Sequence, residues 1–73
     1  MKLKHCRNLT STPDFTMITN LKELILEGCV NLVEVHPSVG LLKGLVVLNM
    51  RNCKRFKGFP REVEMHSLEV MAI

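Results

Sequence analysis

The sequence predicts an α/β solenoid, with short parallel strands on its concave face and loops or short 3₁₀ or helical turns on its convex face. The prediction depends on spacing. Three residue types recur every 23 or 24 positions: cysteine at Cys6, Cys29 and Cys53, proline at Pro13, Pro37 and Pro60, and leucine at Leu21, Leu45 and Leu68. Because several residue types recur in phase, one structural unit is expected to repeat along the chain.

The repeated unit follows the motif L-x-x-L-x-L-x-x-C-x-x-L. It reads LKELILEGCVNL from Leu21 to Leu32, and LVVLNMRNCKRF from Leu45 to Phe56. This motif is typical of leucine-rich repeats. We therefore predict one leucine-rich-repeat segment over 1–73, with a partial repeat over 1–20, whole repeats over 21–44 and 45–67, and a partial repeat over 68–73.

Each strand is predicted from the L-x-L step, whose period of two places both apolar side chains on one face. Leu24 and Leu26 should point inward and Ile25 outward. Strands at a constant offset can then stack in parallel, about 4.8 Å apart. The predicted core comprises Leu21, Leu24, Leu26, Cys29, Leu32, Leu45, Leu48, Met50, Cys53 and Phe56.

The return segments are predicted to be mostly irregular, with no long helix. Residues Ser38–Lys43 could form one short helical or 3₁₀ turn, for which Ser38 is the expected cap. An additional residue in the middle repeat is placed near Val35 and His36, since the interval from cysteine to proline lengthens there. Partial repeats at both ends should leave an isolated chain marginally stable.

The three cysteines are interpreted as core positions of the repeat. A zinc site needs about four converging ligands, often paired two to five residues apart, whereas these cysteines are spread singly along the stack. Their thiols are expected to reach backbone carbonyl groups near the turn. No nucleophile–base pair, phosphate loop or paired carboxylates stand out. The sequence therefore predicts no enzyme activity, no catalytic residues, no metal and no cofactor.

The outward strand positions are the candidates for protein recognition, because their charge and size vary while the core columns repeat. An inert solvated face is the alternative interpretation. The candidates are Lys22, Glu23, Ile25, Glu27, Val47, Asn49, Arg51, Asn52 and Val70. A second set of basic side chains follows the cysteines and is read as a solvated rim: Arg7, Lys54, Arg55, Lys57 and Arg61. The histidines, His5, His36 and His66, share no repeat position and are expected on the surface or in loops.

Composition narrows the class of partner. The net charge is +3, and only three aromatic residues are present, all phenylalanine. The charge is too small to imply nucleic acid, and base-stacking modules need more aromatic side chains. No apolar run approaches the roughly 20 residues of a membrane span. Protein partners are therefore predicted, without nucleic acid or membrane. Because no apolar signal-peptide core follows the N-terminal residues and the cysteine count is odd, a cytoplasmic or nucleocytoplasmic location is expected.

The whole chain resembles the leucine-rich-repeat region of plant intracellular disease-resistance receptors. These receptors join a Toll/interleukin-receptor-like domain, a nucleotide-binding domain and a repeat domain. The resemblance lies in LTSTPDF, in LKELILEGCVNLVEVHPSVGLLKGLVVLNMRNCKRFKGFP and in EVEMHSLEVMAI. It implies that the segment senses a pathogen effector or restrains the receptor, with the effector or other receptor domains as partners.

Two other origins stay open from the sequence. Substrate-recognition repeats of an F-box ubiquitin-ligase adaptor also carry cysteines, but they usually follow the cysteine with Ile-Thr-Asp and a Gly-Leu pair. In this chain Val30, Asn31 and Leu32 follow Cys29. A non-functional truncated gene fragment is the other alternative.

Overall fold

The fold is built on a three-stranded parallel sheet. The structure is a computed structural model that describes residues 1–59 and 67–73. Strand β1 spans Glu23–Ile25, β2 spans Val47–Asn49 and β3 spans Val70–Ala72, and they lie side by side in that order. The predicted short parallel strands are confirmed. Pro60, Arg61 and His66, which entered the sequence interpretation, lie outside the described residues.

The register of the sheet joins equivalent positions of successive repeats. Leu24 pairs with Leu48, and Leu48 pairs with Met71. These three residues form one of the columns expected from the spacing. Leu24 and Leu48 are fully buried, so the inward column lies in the core. Constant register follows from the period of two, because a slip of one residue would turn every apolar side chain to the other face.

Residues before β1 extend the same hydrogen-bonding pattern. Lys2 forms a parallel bridge with Ile25. The Leu3 N–H donates to the Ile25 carbonyl at 2.8 Å, and the His5 N–H donates to the Glu27 carbonyl at 2.8 Å. The first partial repeat therefore lies beside β1 in the way that β1 lies beside β2.

Apolar side chains of the repeats meet in one core. The cluster contains the buried residues Phe15, Leu24, Leu26, Cys29, Leu32, Val35, Val39, Leu42, Leu45, Leu48 and Met50. Leu21, Cys53 and Phe56 are partly buried and pack against it. All ten predicted core residues therefore belong to the core or to its border. The sequence prediction omitted Phe15, which is fully buried.

The return segment of the middle repeat contains one short 3₁₀ helix, Pro37–Leu41. It begins one residue before the predicted turn, and its cap differs from the predicted one. The His36 side chain accepts a hydrogen bond from the Ser38 N–H at 3.0 Å, so His36 caps the helix. The prediction of Ser38 as the cap was wrong because an imidazole Nδ1 can accept the same N–H bond that Ser and Asp usually accept.

A tight turn follows the strand segment of each repeat and places one residue in the left-handed region of φ. The φ angles are 56° at His5, 78° at Gly28 and 62° at Asn52, each directly before a repeat cysteine. Asn and His enter this region more readily than most residues, and glycine enters it without a steric cost. The repeat therefore specifies a backbone turn as well as a core column, which turns each cysteine back toward the core.

Candidate protein-binding face

The outward side chains of the strands lie on one side of the sheet, here called the strand face. It consists of Glu23, Ile25, Glu27, Val47, Asn49, Arg51, Val70 and Ala72. These positions alternate with the buried residues Leu24, Leu26, Leu48 and Met50. Since successive side chains of a strand point to opposite sides, the strand face lies on the side of the sheet away from the core.

Three levels of equivalent positions cross the strand face. The first level joins Glu23, Val47 and Val70, and the second joins Ile25, Asn49 and Ala72. A third level is defined by backbone bonds beyond the strand ends, since the Gly28 N–H donates to the Arg51 carbonyl at 2.8 Å. Together with the bond from His5 to Glu27, this bond sets Lys4, Glu27 and Arg51 beside one another. The third level therefore alternates basic, acidic and basic residues.

Hydrogen bonds fix the centre of the strand face. The Asn49 side-chain amide donates to Glu27 Oε1 at 3.0 Å, and Asn49 Oδ1 accepts the Arg51 N–H at 3.0 Å. Both ends of the Asn49 amide are therefore engaged. Asn49 and Glu27 are partly buried, whereas the Arg51 side chain is exposed. The Asn49 side chain at the centre is therefore held by two hydrogen bonds, and the charge of Arg51 at its border is exposed.

Accessibility separates the remaining candidates. Glu23 is exposed and Val47 is partly buried, while Val70 is 52% exposed. Ile25 lies on the strand face as predicted but is only 9% exposed, between its partners Lys2 and Asn49 in the adjoining repeats. The expectation that Ile25 is available for recognition is therefore corrected: it lies buried between the adjoining repeats.

Two predicted candidates lie beside the strand face. Lys22 precedes β1, and its side chain approaches Gly44, where an added Cβ would come within 3.2 Å of the Lys22 Nζ. Asn52 follows β2 in the left-handed turn. Each residue is separated from an inward leucine by an even number of positions. Because side chains alternate along a strand, neither residue belongs to the outward columns. The sequence interpretation grouped them with the strands because the strand ends were not defined.

The comparisons with known proteins agree on one family. The chain is 38% identical over 69 residues to the protein SUPPRESSOR OF npr1-1, CONSTITUTIVE 1 of Arabidopsis thaliana, a match covering 94% of this chain and 5% of that protein. It is 41% identical over 71 residues to TMV resistance protein N of Nicotiana glutinosa, covering 97% of this chain and 6% of that protein. It is 39% identical over 71 residues to disease resistance protein RPP4 of Arabidopsis thaliana, again covering 97% and 6%.

The chain belongs to the family of plant disease-resistance proteins. The resemblance found in the sequence is therefore confirmed. The chain spans 5–6% of the length of these three curated relatives. No protein-family model and no solved structure matches it. Two of the three relatives reported are named as resistance proteins, which does not favour the F-box adaptor.

The cysteines of this disease-resistance segment form a ladder of sulfur–carbonyl bonds. Cys29 Sγ donates to the Leu3 carbonyl at 2.8 Å, and Cys53 Sγ donates to the Leu26 carbonyl at 3.1 Å. Leu3 and Leu26 occupy the same column of successive repeats. The expected bond from thiol to backbone is thus present, and each thiol reaches the preceding repeat. All three cysteines are free thiols.

The environment of the thiols opposes nucleophilic chemistry. Burial raises the pKa of the Cys29 and Cys53 thiols above their ordinary value of 9.0. A higher pKa leaves less thiolate, which is the reactive form, at neutral pH. Within residues 1–59 and 67–73, no three His, Cys, Asp or Glu side chains are grouped so that they could hold a metal ion.

Thiol reactivity supplies a first prediction. In the native chain, Cys29 and Cys53 should react with iodoacetamide more slowly than in the urea-unfolded chain, with labelling midpoints above pH 9.0. Because the folded pKa is raised, the associated stability is complete below pH 9.0 and is lost as pH rises through the folded pKa. Mass spectrometry of labelled peptides across pH would measure both midpoints. Identical pH profiles in the native and unfolded chains would contradict the burial of these thiols.

Asp14, His36 and Ser38 come together in a set that the sequence interpretation did not find. Ser38 Oγ lies 2.8 Å from His36 Nδ1, and His36 Nε2 lies 3.9 Å from Asp14 Oδ2. The side-chain hydroxyl and backbone N–H of Thr16 donate to Asp14 and lower the pKa of its carboxyl group. The three residue types resemble a hydrolase triad, so their hydrogen bonds decide their role.

The hydrogen bonds of Asp14, His36 and Ser38 give this set a structural role rather than a catalytic one. The buried Ser38 Oγ accepts the Phe15 N–H at 2.6 Å, while His36 Nδ1 accepts the Ser38 N–H at 3.0 Å. A nucleophile must be accessible and a general base must have a free lone pair. Here the hydroxyl is buried and the imidazole lone pair caps a helix. The set therefore joins two return segments.

The described residues contain no helix long and apolar enough to cross a membrane.

Proposed function

We propose that this chain is a protein-interaction segment of a plant immune receptor, and that it forms part of a leucine-rich-repeat solenoid. The whole repeats of the proposed solenoid are 21–44 and 45–67, flanked by the partial repeats 1–20 and 68–73. Support comes from the parallel register that joins equivalent repeat positions and from the disease-resistance relatives. The proposed location is the cytoplasm, which is consistent with three free thiols.

One observation carries the interaction role. The inward level of the sheet contains the similar residues Leu24, Leu48 and Met71, whereas the outward level beside it contains Glu23, Val47 and Val70. Packing constrains the inward positions to apolar side chains, whereas the outward positions are free to vary. A rigid scaffold with variable outward side chains is the arrangement by which repeat proteins present a binding surface.

The proposed partners are a pathogen effector or other domains of the same receptor. The exposed side chains of the strand face are the proposed contacts, chiefly Glu23, Arg51 and Val70. They combine both charges with an apolar group, which fits a protein surface of mixed character. Arg51 is the leading candidate because arginine is enriched at interface positions that contribute most to binding and because its side chain is exposed.

Charge reversal in a receptor that carries this segment tests the proposal. Arg51→Glu should abolish the response to the effector or produce cell death without it, at unchanged receptor abundance. Lys43→Glu is the matched control, since Lys43 is also an exposed cation but lies in a return segment. Immunoblotting measures abundance, and a leaf cell-death assay measures response. The proposal fails if the two variants behave alike, or if Arg51→Glu acts only by lowering abundance.

A further inference from the structure

A groove crosses the turns that follow the strands, on a surface distinct from the strand face. We call it the post-strand groove. It is lined by His5, Arg7, Gly28, Val30, Asn52 and Lys54. These residues come from three successive repeats and fall into two rows, one directly before the cysteines and one directly after them. The groove therefore runs across the repeats, parallel to the column of thiols.

Glycine at the middle turn shapes the floor of the groove. Gly28 is buried and has a φ of 78°. A Cβ added there would lie 2.2 Å from His5 Nδ1 and 2.7 Å from His5 Cε1, so the imidazole occupies the space that any other residue would need. The ring of His5 thus packs directly over the backbone of the next repeat, where only glycine leaves room for it.

A positively charged side chain lies at each end of the groove, Arg7 at one and Lys54 at the other. The residues after the three cysteines are Arg7, Val30 and Lys54. Arg7 and Lys54 are exposed, and Val30 is partly buried between them. Two strand spacings separate the outer residues, which places their Cα atoms about 10 Å apart. Among the residues that the structure describes, no carboxylate lines the groove. The sequence alone indicated a solvated basic rim, to which the structure adds a concave site with an apolar centre.

The chemistry of the lining selects an acidic protein segment as the occupant. Two separated cations, with the His5 imidazole and the Asn52 amide beside them in the outer repeats, complement carboxylates and the backbone of an extended chain. None of the described residues that line the groove carries a phenyl, phenol or indole ring, so they offer no platform on which nucleic-acid bases could stack. The net charge of +3 would further favour encounter with an acidic partner.

The spacing of the cations defines the register of that segment. A polyproline II chain rises about 3.1 Å per residue with three residues per turn, so side chains three residues apart point the same way at a distance of about 9 Å. This distance is close to the backbone separation of about 10 Å between Arg7 and Lys54, so both side chains could reach carboxylates at that spacing. We infer that the post-strand groove binds an acidic, extended segment of a partner protein through two carboxylates three residues apart.

Peptide binding tests this inference. The probe is a fluorescein-labelled, proline-rich peptide with aspartate at every third position, and its asparagine counterpart is the control peptide. Binding to the 73-residue chain is measured by fluorescence anisotropy at low and moderate salt. The aspartate peptide should bind and weaken with salt, as expected for partly exposed charge pairs. The asparagine peptide should bind at least about fivefold more weakly, given the size of such interactions.

Variants locate the site. Lys54→Gln and Arg7→Gln should each weaken binding about threefold to fivefold, while Lys43→Gln, an exposed lysine outside the groove, should leave it unchanged. Val30→Asp should prevent binding by placing a carboxylate between the cations. Circular dichroism must show the same spectrum for each variant, and Lys54→Gln is the decisive variant if Val30→Asp alters it. Equal weakening by Lys43→Gln and Lys54→Gln, absence of binding at low salt, or tighter binding of a single-stranded oligonucleotide would overturn the inference.

Discussion

Replacing Leu48 with aspartate is expected to abolish the ordered structure of this chain. Leu48 is fully buried at the centre of the sheet, where it pairs with Leu24 on one side and Met71 on the other. An unpaired carboxylate at such a position costs several kcal/mol. Proteins have a free energy of unfolding of only about 0.05–0.15 kcal/mol per residue, so this change consumes most or all of the stability of a small domain.

Urea unfolding followed by far-ultraviolet circular dichroism would measure the effect. The Leu48→Asp chain should show no cooperative transition. Leu41→Asp provides the matched control, because Leu41 ends the 3₁₀ helix and is 47% exposed. Its unfolding midpoint should move little, since surface substitutions usually change stability by about 0.5 kcal/mol or less. Lys22→Ala should also be tolerated. Equal tolerance of both aspartate substitutions would contradict the core described above.

Replacing Phe15 with alanine should lower the free energy of unfolding by about 3–5 kcal/mol, the usual range for a buried aromatic residue. Phe15 is the large aromatic side chain that is fully buried, and it contributes to the core from the first partial repeat. Its backbone N–H also donates to the buried Ser38 Oγ at 2.6 Å. Loss of the ring would leave a cavity between two return segments. The Phe15 N–H would then be held less firmly in place for its bond to Ser38 Oγ.

The matched measurement uses Phe56→Ala, because Phe56 is only partly buried and packs at the border of the core. Denaturant midpoints of the two variants should differ, with the larger decrease for Phe15→Ala. Met17→Ala is a second control, since Met17 is 91% exposed. A Phe56→Ala variant that is equally or more destabilised would show that the border of the core contributes as much as its centre.

Strand positions could be predicted from the sequence because two signals coincide in them. The spacing of 23 or 24 residues identifies equivalent positions, and the L-x-L alternation identifies the inward face. The pairing of Leu24, Leu48 and Met71 follows from these signals. The family also follows from the motif, because its residues are distributed along the whole chain rather than at one local site.

Phe15 was missed because its column changes character along the chain. It lies two residues after Pro13, as Val39 lies two residues after Pro37, and both side chains are fully buried. The corresponding residue after Pro60 is glutamate, so the apolar column is interrupted in the third copy. A comparison restricted to the first two copies would have identified Phe15.

The helix cap and the accessibility of the strand face could not be derived from repeat spacing. His36 caps the 3₁₀ helix through its own Nδ1, which depends on the local backbone and on the rotamer of one side chain. The low exposure of Ile25 depends on neighbours at positions 2 and 49, which come from other repeats. Alternation predicts direction, whereas exposure is determined by the sizes of the side chains on adjoining strands.

The sulfur–carbonyl ladder has a direction along the chain, and this direction bears on biosynthesis. The Leu26 carbonyl accepts its bond from Cys53, which is 27 residues later. A ribosome adds about 5–20 residues per second, so Cys53 is synthesised about 1 to 5 seconds after Leu26. During this interval the Leu26 carbonyl lacks its sulfur donor. Each newly made repeat therefore completes the one before it. Folding would follow translation with a lag of one repeat, during which the most recent strand edge is exposed to chaperones or to a wrong partner.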